Sequence, residues 1–226
     1  MFDGDFDLSR VSRSRCSGIR RLTGAVAGCV GIPGGITRFI PSRRYYSIFR
    51  EGRESITSYV DLAKATLSMV SINLATGVDM EKIVDTFTAM ICHRADAVRI
   101  RVSLLNPDHA GLIAAIAPVL AMQPDTLASR IRDAIATLEG FAAELPSRMR
   151  GHFTLSCHNA LPQASAIMID ENTAAGLIQL ESKPYASAFT HSFAWEISHG
   201  TAFYQTMQTS YAQLIADGTT RVGNPW

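Results

Sequence analysis

The sequence predicts an α/β fold, a mixed and mainly parallel sheet with helices on both faces. Three observations predict it. Strand-like runs at 67–73, 97–105 and 152–159 are separated by stretches with helical spacing. In the second run Val98, Ile100, Val102 and Leu104 alternate with Arg99, Arg101 and Ser103, the period-2 pattern of a strand. The chain has 226 residues, enough for one sizeable α/β domain and cramped for two. Strands interleaved with helices pair in parallel through right-handed crossovers, which sets the expected topology.

The elements follow in order. Residues 1–34 are rich in Ser, Gly and Arg and lack periodicity, so a disordered leader is expected there and a single domain over 35–226. From Glu54, residues Ile56, Tyr59, Val60, Ala63 and Leu67 recur at helical spacing. The run 67–73 then reads as a short buried strand, and Thr76-Gly77 breaks the chain. Ile83, Val84, Phe87 and Ile91 mark a second helix that ends near His93-Arg94. Strand 97–105 stops at the proline turn Asn106-Pro107-Asp108. Helices are expected over 111–121 and 124–145, the latter with Pro124 in its first turn and Asp125 at its positive end.

After strand 152–159, residues 166–169 form a compact apolar strand. It turns at Asp170-Glu171-Asn172 and pairs with 176–181 as a hairpin. Residues 184–198 read as loop plus a short strand. A last helix spans 202–216 with Phe203, Met207, Tyr211 and Leu214 on one face, and Gly218 stands where a C-cap belongs. The later strands are expected as an antiparallel edge.

Composition narrows the function classes. Apolar residues make up 47% and charged residues 18%, with a formal net charge of +1, so bulk charge makes no case for nucleic acid or an acidic membrane. Cys16, Cys29, Cys92 and Cys157 are too far apart for a Cys-x-x-Cys signature or a disulfide framework, which favours a reduced, cytoplasmic setting. The competing location is export as a lipoprotein, from basic residues ahead of the lipobox-like Val26-Ala27-Gly28-Cys29. No apolar run reaches spanning length, so no transmembrane segment is expected. Phosphate-loop, Gly-x-Ser-x-Gly and His-x-x-x-His patterns are absent from the sequence, and no cofactor or metal is expected.

Ligands of open α/β sheets sit outside the carboxyl ends of the strands. Those ends carry Asn73, then Asn106 and Asp108, then His158 with Asn159. The same residue types also end strands because they suit turns. Arg99 and Arg101, with Arg43 and Arg44, read either as a phosphate cradle or as the solvated face of an edge strand. Tyr45, Tyr46 and Phe49 are expected to pack on the sheet.

Several segments resemble the phospholipase D-like superfamily. They are 35–43, the helix-to-strand passage 63–72, the strand 98–107 ending Leu104-Leu105-Asn106-Pro107, and Gln163-Ala164-Ser165-Ala166-Ile167-Met168-Ile169-Asp170, where the family's H-x-K-x4-D motif would fall. The resemblance covers residues 35–218. It implies a phospholipase D-like fold in which Gln163 stands in the place of the nucleophilic His, Ser165 in that of the charge-stabilising Lys, and Asp170 alone keeps the family residue type. A glutamine amide is no nucleophile and a serine brings no positive charge.

The resemblance therefore implies a non-catalytic, ligand-binding or regulatory module. Its candidate ligand residues are Asn73, Asn106, Asp108, His158, Gln163, Ser165 and Asp170, and its expected partners are a phosphate-bearing or nucleotide-like small molecule and a second copy of the chain. Two other readings stand beside it. One is a divergent, metal-independent phosphodiesterase with His158 as nucleophile and His191 or His199 as substitutes. The other is an interaction protein that docks through the helix around Phe203–Leu214.

Overall fold

The computed structural model describes residues 38–40, 56–74, 80–182, 185–186 and 193–223. Among the described residues eight strands form a sheet: β1 (Arg38–Ile40), β2 (Thr66–Ser71), β3 (Arg99–Leu105), β4 (Phe153–His158), β5 (Ser165–Ile169), β6 (Leu177–Ser182), β7 (Phe193–Ser198) and β8 (Thr219–Val222). The helices are α1 (Ile56–Val60), α2 (Met80–Thr88), α3 (Ala110–Ile116), α4 (Pro124–Glu144) and α5 (Ala202–Ala216), and a π-helical turn, Ala89–His93, continues α2. Across the sheet the order is β1-β7-β6-β5-β2-β3-β4-β8.

The α/β class, the mixed sheet and the helices on both faces are as expected, and so is the β5–β6 hairpin. The parallel share is smaller than expected. Pairing is parallel between β2 and β3 and between β3 and β4, and antiparallel in the other five pairs. The physical reason is connection length. A parallel return to a neighbouring strand needs a crossover of a dozen or more residues, which the α2 segment supplies between β2 and β3 and the α3–α4 segment between β3 and β4. After β4 the connections to β5 and β6 are short, and the chain runs back and forth. Two strands, β1 and β8, lie where the sequence suggests no strand.

Alternation sorts the side chains onto two faces. On one face Leu67, Met69, Ile100, Val102, Leu104, Phe153, Leu155 and Ile167 are buried with residues from α1, α2, α3 and α4. Three aromatic rings fix this layer. Phe141 of α4 meets Phe153 of β4 edge-on at 5.0 Å, and Phe87 of α2 lies 6.1 Å from Phe141. On the other face Val70, Ala166, Met168, Ile178 and Leu180 pack under Tyr204 and Tyr211 of α5.

The second face also holds a polar cluster that joins strands to α5. Strand β3 lies inside the sheet between β2 and β4, so Arg101 is not the solvated residue of an edge strand. Its guanidinium pairs with the buried Glu171 at 2.6 Å. Glu171 also accepts hydrogen bonds from Ser68 Oγ and Thr66 Oγ1, both at 2.8 Å. The Glu171 carbonyl accepts from Tyr204 Oη at 3.0 Å and from Gln208 Nε2 at 2.7 Å. Close approach here requires Gly176, because a Cβ on it would sit 2.2 Å from Tyr204 Oη. Among the described residues no helix is long and apolar enough to cross a membrane. The leader, Cys16, Cys29, Arg43, Arg44, Tyr45, Tyr46, Phe49 and His191 lie outside the described residues.

Candidate ligand-binding site

Strands β2, β3 and β4 run in parallel, so their carboxyl ends share one end of the sheet. Strand β5 is antiparallel to β2, which brings the start of β5 to that same end. The hairpin then returns the end of β6 there. A cavity of about 350 Å³ opens at this end, on the face covered by α1 and α3. Its volume is at the lower end of the range of small-molecule pockets.

Three of the seven candidate residues, Asn73, Gln163 and Ser165, line this cavity. The sheet floor carries Met69 and Ile167, and Ile56, Ile116, Val119 and Leu120 supply apolar walls. A polar row crosses the floor toward the strand ends. The Ser71 and Ser165 hydroxyls are 3.3 Å apart, and Ser165 stands directly opposite Glu181 in the β5–β6 register. Ser71, Gln179, Glu181 and Ser182 are lining residues that sequence reasoning missed. The available signal was polarity at the end of apolar strands: Ser71 ends the buried run of β2, and Glu181 sits on the face that β6 turns toward Ser165.

Local structure holds the site in shape. After β2 the chain turns at Leu74, whose φ of 50° is unusual for a branched residue. The turn is fixed by the Leu74 N–H, which donates to Ser71 Oγ at 3.3 Å. The loop before β5 is held from the opposite face of the sheet, where Tyr211 of α5 donates to the Ala164 carbonyl at 2.7 Å. Burial pushes the Tyr211 phenol up to about 12, so this donor keeps its proton at any physiological pH.

The other candidates lie elsewhere. Asn106 and Asp108 form the turn beyond β3. Asn106 Nδ2 donates to Asn159 Oδ1 at 2.9 Å, and the Asp108 N–H donates to Asn106 Oδ1 at 3.0 Å. The Asp108 carboxylate pairs with Arg132 at 2.9 Å on the surface. His158 is 1% exposed. Its Nδ1 lies 2.7 Å from the Ala160 carbonyl oxygen and its Nε2 3.3 Å from that of Ser71. Burial lowers the imidazole pKa below its usual range, while both backbone contacts act to raise it. A neutral ring has one N–H, and the shorter contact assigns it to Nδ1. His199 is exposed, with its ring edge-on to Tyr204.

Asp170 sits at the opposite end of β5, roughly 16 Å from Ser165 at the usual strand rise. Its carboxylate accepts backbone hydrogen bonds from Lys64 at 3.0 Å, Ala65 at 2.7 Å and Thr66 at 2.9 Å. The structure therefore places Asp170 as an anchor for the entry to β2, apart from Gln163 and Ser165. Among the described residues no group of three or more His, Cys, Asp or Glu is placed to hold a metal ion.

No protein-family model matches the chain, and no curated protein matches it. Solved structures are similar at low identity. A phospholipase D family member, Nuc from Salmonella typhimurium, is 14% identical with a TM-score of 0.44, over 74% of this chain and 89% of that one. TrmBL2, an archaeal chromatin protein described with a novel mode of DNA binding, is 7% identical with a TM-score of 0.43, over 84% of this chain and 55% of that one. Phosphatidylserine synthase of Haemophilus influenzae is 10% identical with a TM-score of 0.44, over 74% of this chain and 35% of that one. Likenesses of this depth give no residue correspondence, and the site stands on its own geometry.

Proposed function

We propose that this chain is a non-catalytic ligand-binding domain with a sensory or regulatory role, whose ligand occupies the cavity at the end of β2, β5 and β6. The observation that carries the reading is the convergence of Asn73, Gln163, Ser165 and Ser71 on one cavity with apolar walls. Such a site matches small-molecule pockets, which are mainly apolar with a few placed polar groups.

Two features support binding without turnover. The lining hydroxyls of Ser71 and Ser165 approach each other, and no His, Lys or Arg lies among the described lining residues to attack or to stabilise a transferring phosphoryl group. His158 is 1% exposed, and its Nε2, the ring nitrogen that keeps a lone pair, lies 3.3 Å from the Ser71 carbonyl oxygen, so burial closes it to an incoming phosphorus. The expected phosphate ligand also meets no cation among those lining residues. The ligand favoured by this chemistry has an apolar body and hydrogen-bonding groups in place of phosphate.

The test pairs turnover with binding. The purified chain is assayed for hydrolysis of bis(p-nitrophenyl) phosphate with chelator present, and for thermal stabilisation by 4-phenylbutanol. No hydrolysis, together with stabilisation that Leu120→Trp removes by filling the cavity, is the expected result. Hydrolysis that is lost in His158→Ala would overturn the reading in favour of a phosphodiesterase.

A further inference from the structure

We infer that the ligand of this cavity carries an uncharged hydrogen-bond acceptor, a carbonyl-type oxygen on an apolar body, and that the Ser71–Ser165 hydroxyl pair receives it. The inference rests on the binding role proposed above and names the class of molecule bound. Its basis is a count of hydroxyl protons on the cavity floor. Ser71 closes β2 and Ser165 opens β5, and both line the cavity. Their oxygens are 3.3 Å apart, and either can donate to the other.

Two hydroxyls bring two protons, and the contact between them uses one. Ser71 Oγ also accepts from the Leu74 N–H at 3.3 Å, which occupies a lone pair and no proton. If Ser71 donates to Ser165, the Ser165 proton is left over. If Ser165 donates to Ser71, the Ser71 proton is left over. In both cases one O–H has no acceptor among the described residues, and it lies beside the apolar floor of Met69 and Ile167. A ligand that covers this floor displaces the water that would meet that proton, so the ligand itself must offer the acceptor or leave a dry donor beneath it. No Lys, Arg or His lies among the described lining residues, so an anionic acceptor meets no counter-charge and a neutral oxygen is the fit. Gln163 lines the same cavity and brings carboxamide N–H donors to the same acceptor-seeking end.

The test uses two probes of one carbon skeleton, 4-phenylbutan-2-one and butylbenzene. Affinities are measured by calorimetry on the native chain, on Leu120→Trp and on the double variant Ser71→Ala/Ser165→Ala. The carbonyl stretch of isotope-labelled ketone is read by infrared difference spectroscopy in the same samples. Both probes are expected to bind the native chain and to be blocked by Leu120→Trp. The bound carbonyl should absorb below its frequency in hexane, the signature of an accepted hydrogen bond. In the double variant the band should return to its hexane position. Ketone affinity should then fall about fivefold, the size of one neutral hydrogen bond, with butylbenzene held within about twofold.

Binding of butylbenzene alone, a hexane-like band in the native chain, or a lowered band that persists in the double variant, each with binding blocked by Leu120→Trp, would overturn the acceptor assignment and leave the binding role standing. Binding of neither probe would overturn both. Should the double variant fail to fold, Ser71→Cys/Ser165→Cys keeps both shapes and exchanges each O–H for the weaker S–H donor. The band should then move back toward its hexane position, and a band that stays in place overturns the assignment.

Discussion

Replacing Asp170 separates a structural role from a role in the ligand site. Its carboxylate holds three backbone N–H groups at the entry to β2, those of Lys64, Ala65 and Thr66. Hydrogen bonds to a charged acceptor are worth about 1.5–3 kcal/mol each when the donors are left dry. Lys64 and Ala65 are exposed, so water replaces much of what they lose, and about 1 kcal/mol per donor is the reasonable share.

Asp170 also has a φ of 47°, a left-handed conformation that costs alanine about 1 kcal/mol more than it costs an Asx residue. Asp170→Ala is therefore expected to destabilise by about 4 kcal/mol. Asp170→Asn, which tolerates that conformation and keeps one acceptor oxygen, is expected to lose about 2 kcal/mol. Urea unfolding followed by circular dichroism measures both, with an unchanged slope as the control on the denatured state. At urea concentrations where Asp170→Asn stays folded, 4-phenylbutanol should still bind, because the cavity is at the other end of β5. Stability within 0.5 kcal/mol of native in Asp170→Ala, or loss of binding at unchanged stability, would refute the anchor role.

Three further outcomes follow from the same geometry. Arg101→Met strands the buried Glu171 carboxylate and should cost about 3 kcal/mol in chemical denaturation, whereas a surface pair such as Arg132–Asp108 should cost under about 1 kcal/mol when broken. Gly176→Ala drives a methyl into Tyr204 Oη and should cost about 2 kcal/mol; combined with Tyr204→Phe it should cost less than the sum of the two single changes, as a double-mutant cycle will show. His158 has a folded pKa below its unfolded value, so its contribution is complete above the unfolded pKa of about 6.5 and is lost as pH falls from there toward the folded value. Urea midpoints from pH 7.5 to 5 should fall more steeply for the native chain than for His158→Gln.

Local pattern made much of the fold legible. The period-2 alternation of β3, the apolar runs of β2, β4 and β5, the turn at Asp170-Glu171-Asn172 and the spacing of α5 each carry their own signal. Strand order carries none. Arg101 reads as a solvated residue because alternation shows its face but not its neighbours, and β3 becomes interior only once β4 and β2 flank it. Strand β8, Thr-Thr-Arg-Val, is short and exposed, so it has no buried face to leave a pattern. In the site, Asn73, Gln163 and Ser165 were legible as polar residues near strand ends. Their meeting was not, since it depends on β5 running antiparallel to β2. Glu181 and Ser71 were passed over because one polar residue closing an apolar strand looks like the start of a turn. The resemblance of 163–170 to a catalytic motif grouped Asp170 with Gln163 and Ser165, and strand geometry separates them.

The proposed ligand site is the cavity between β2, β5, β6 and α3. It is tested most directly by a methyl NMR titration of the isotope-labelled chain with 4-phenylbutanol. Saturable shifts are expected at the methyls that line the cavity, those of Ile56, Met69, Leu74, Ile116, Val119, Leu120, Leu161 and Ile167 among them, with Ile100 and the Phe141-facing methyls of the α4 layer unmoved. Shifts centred on any other part of the molecule, or none up to the solubility of the alcohol, would contradict it.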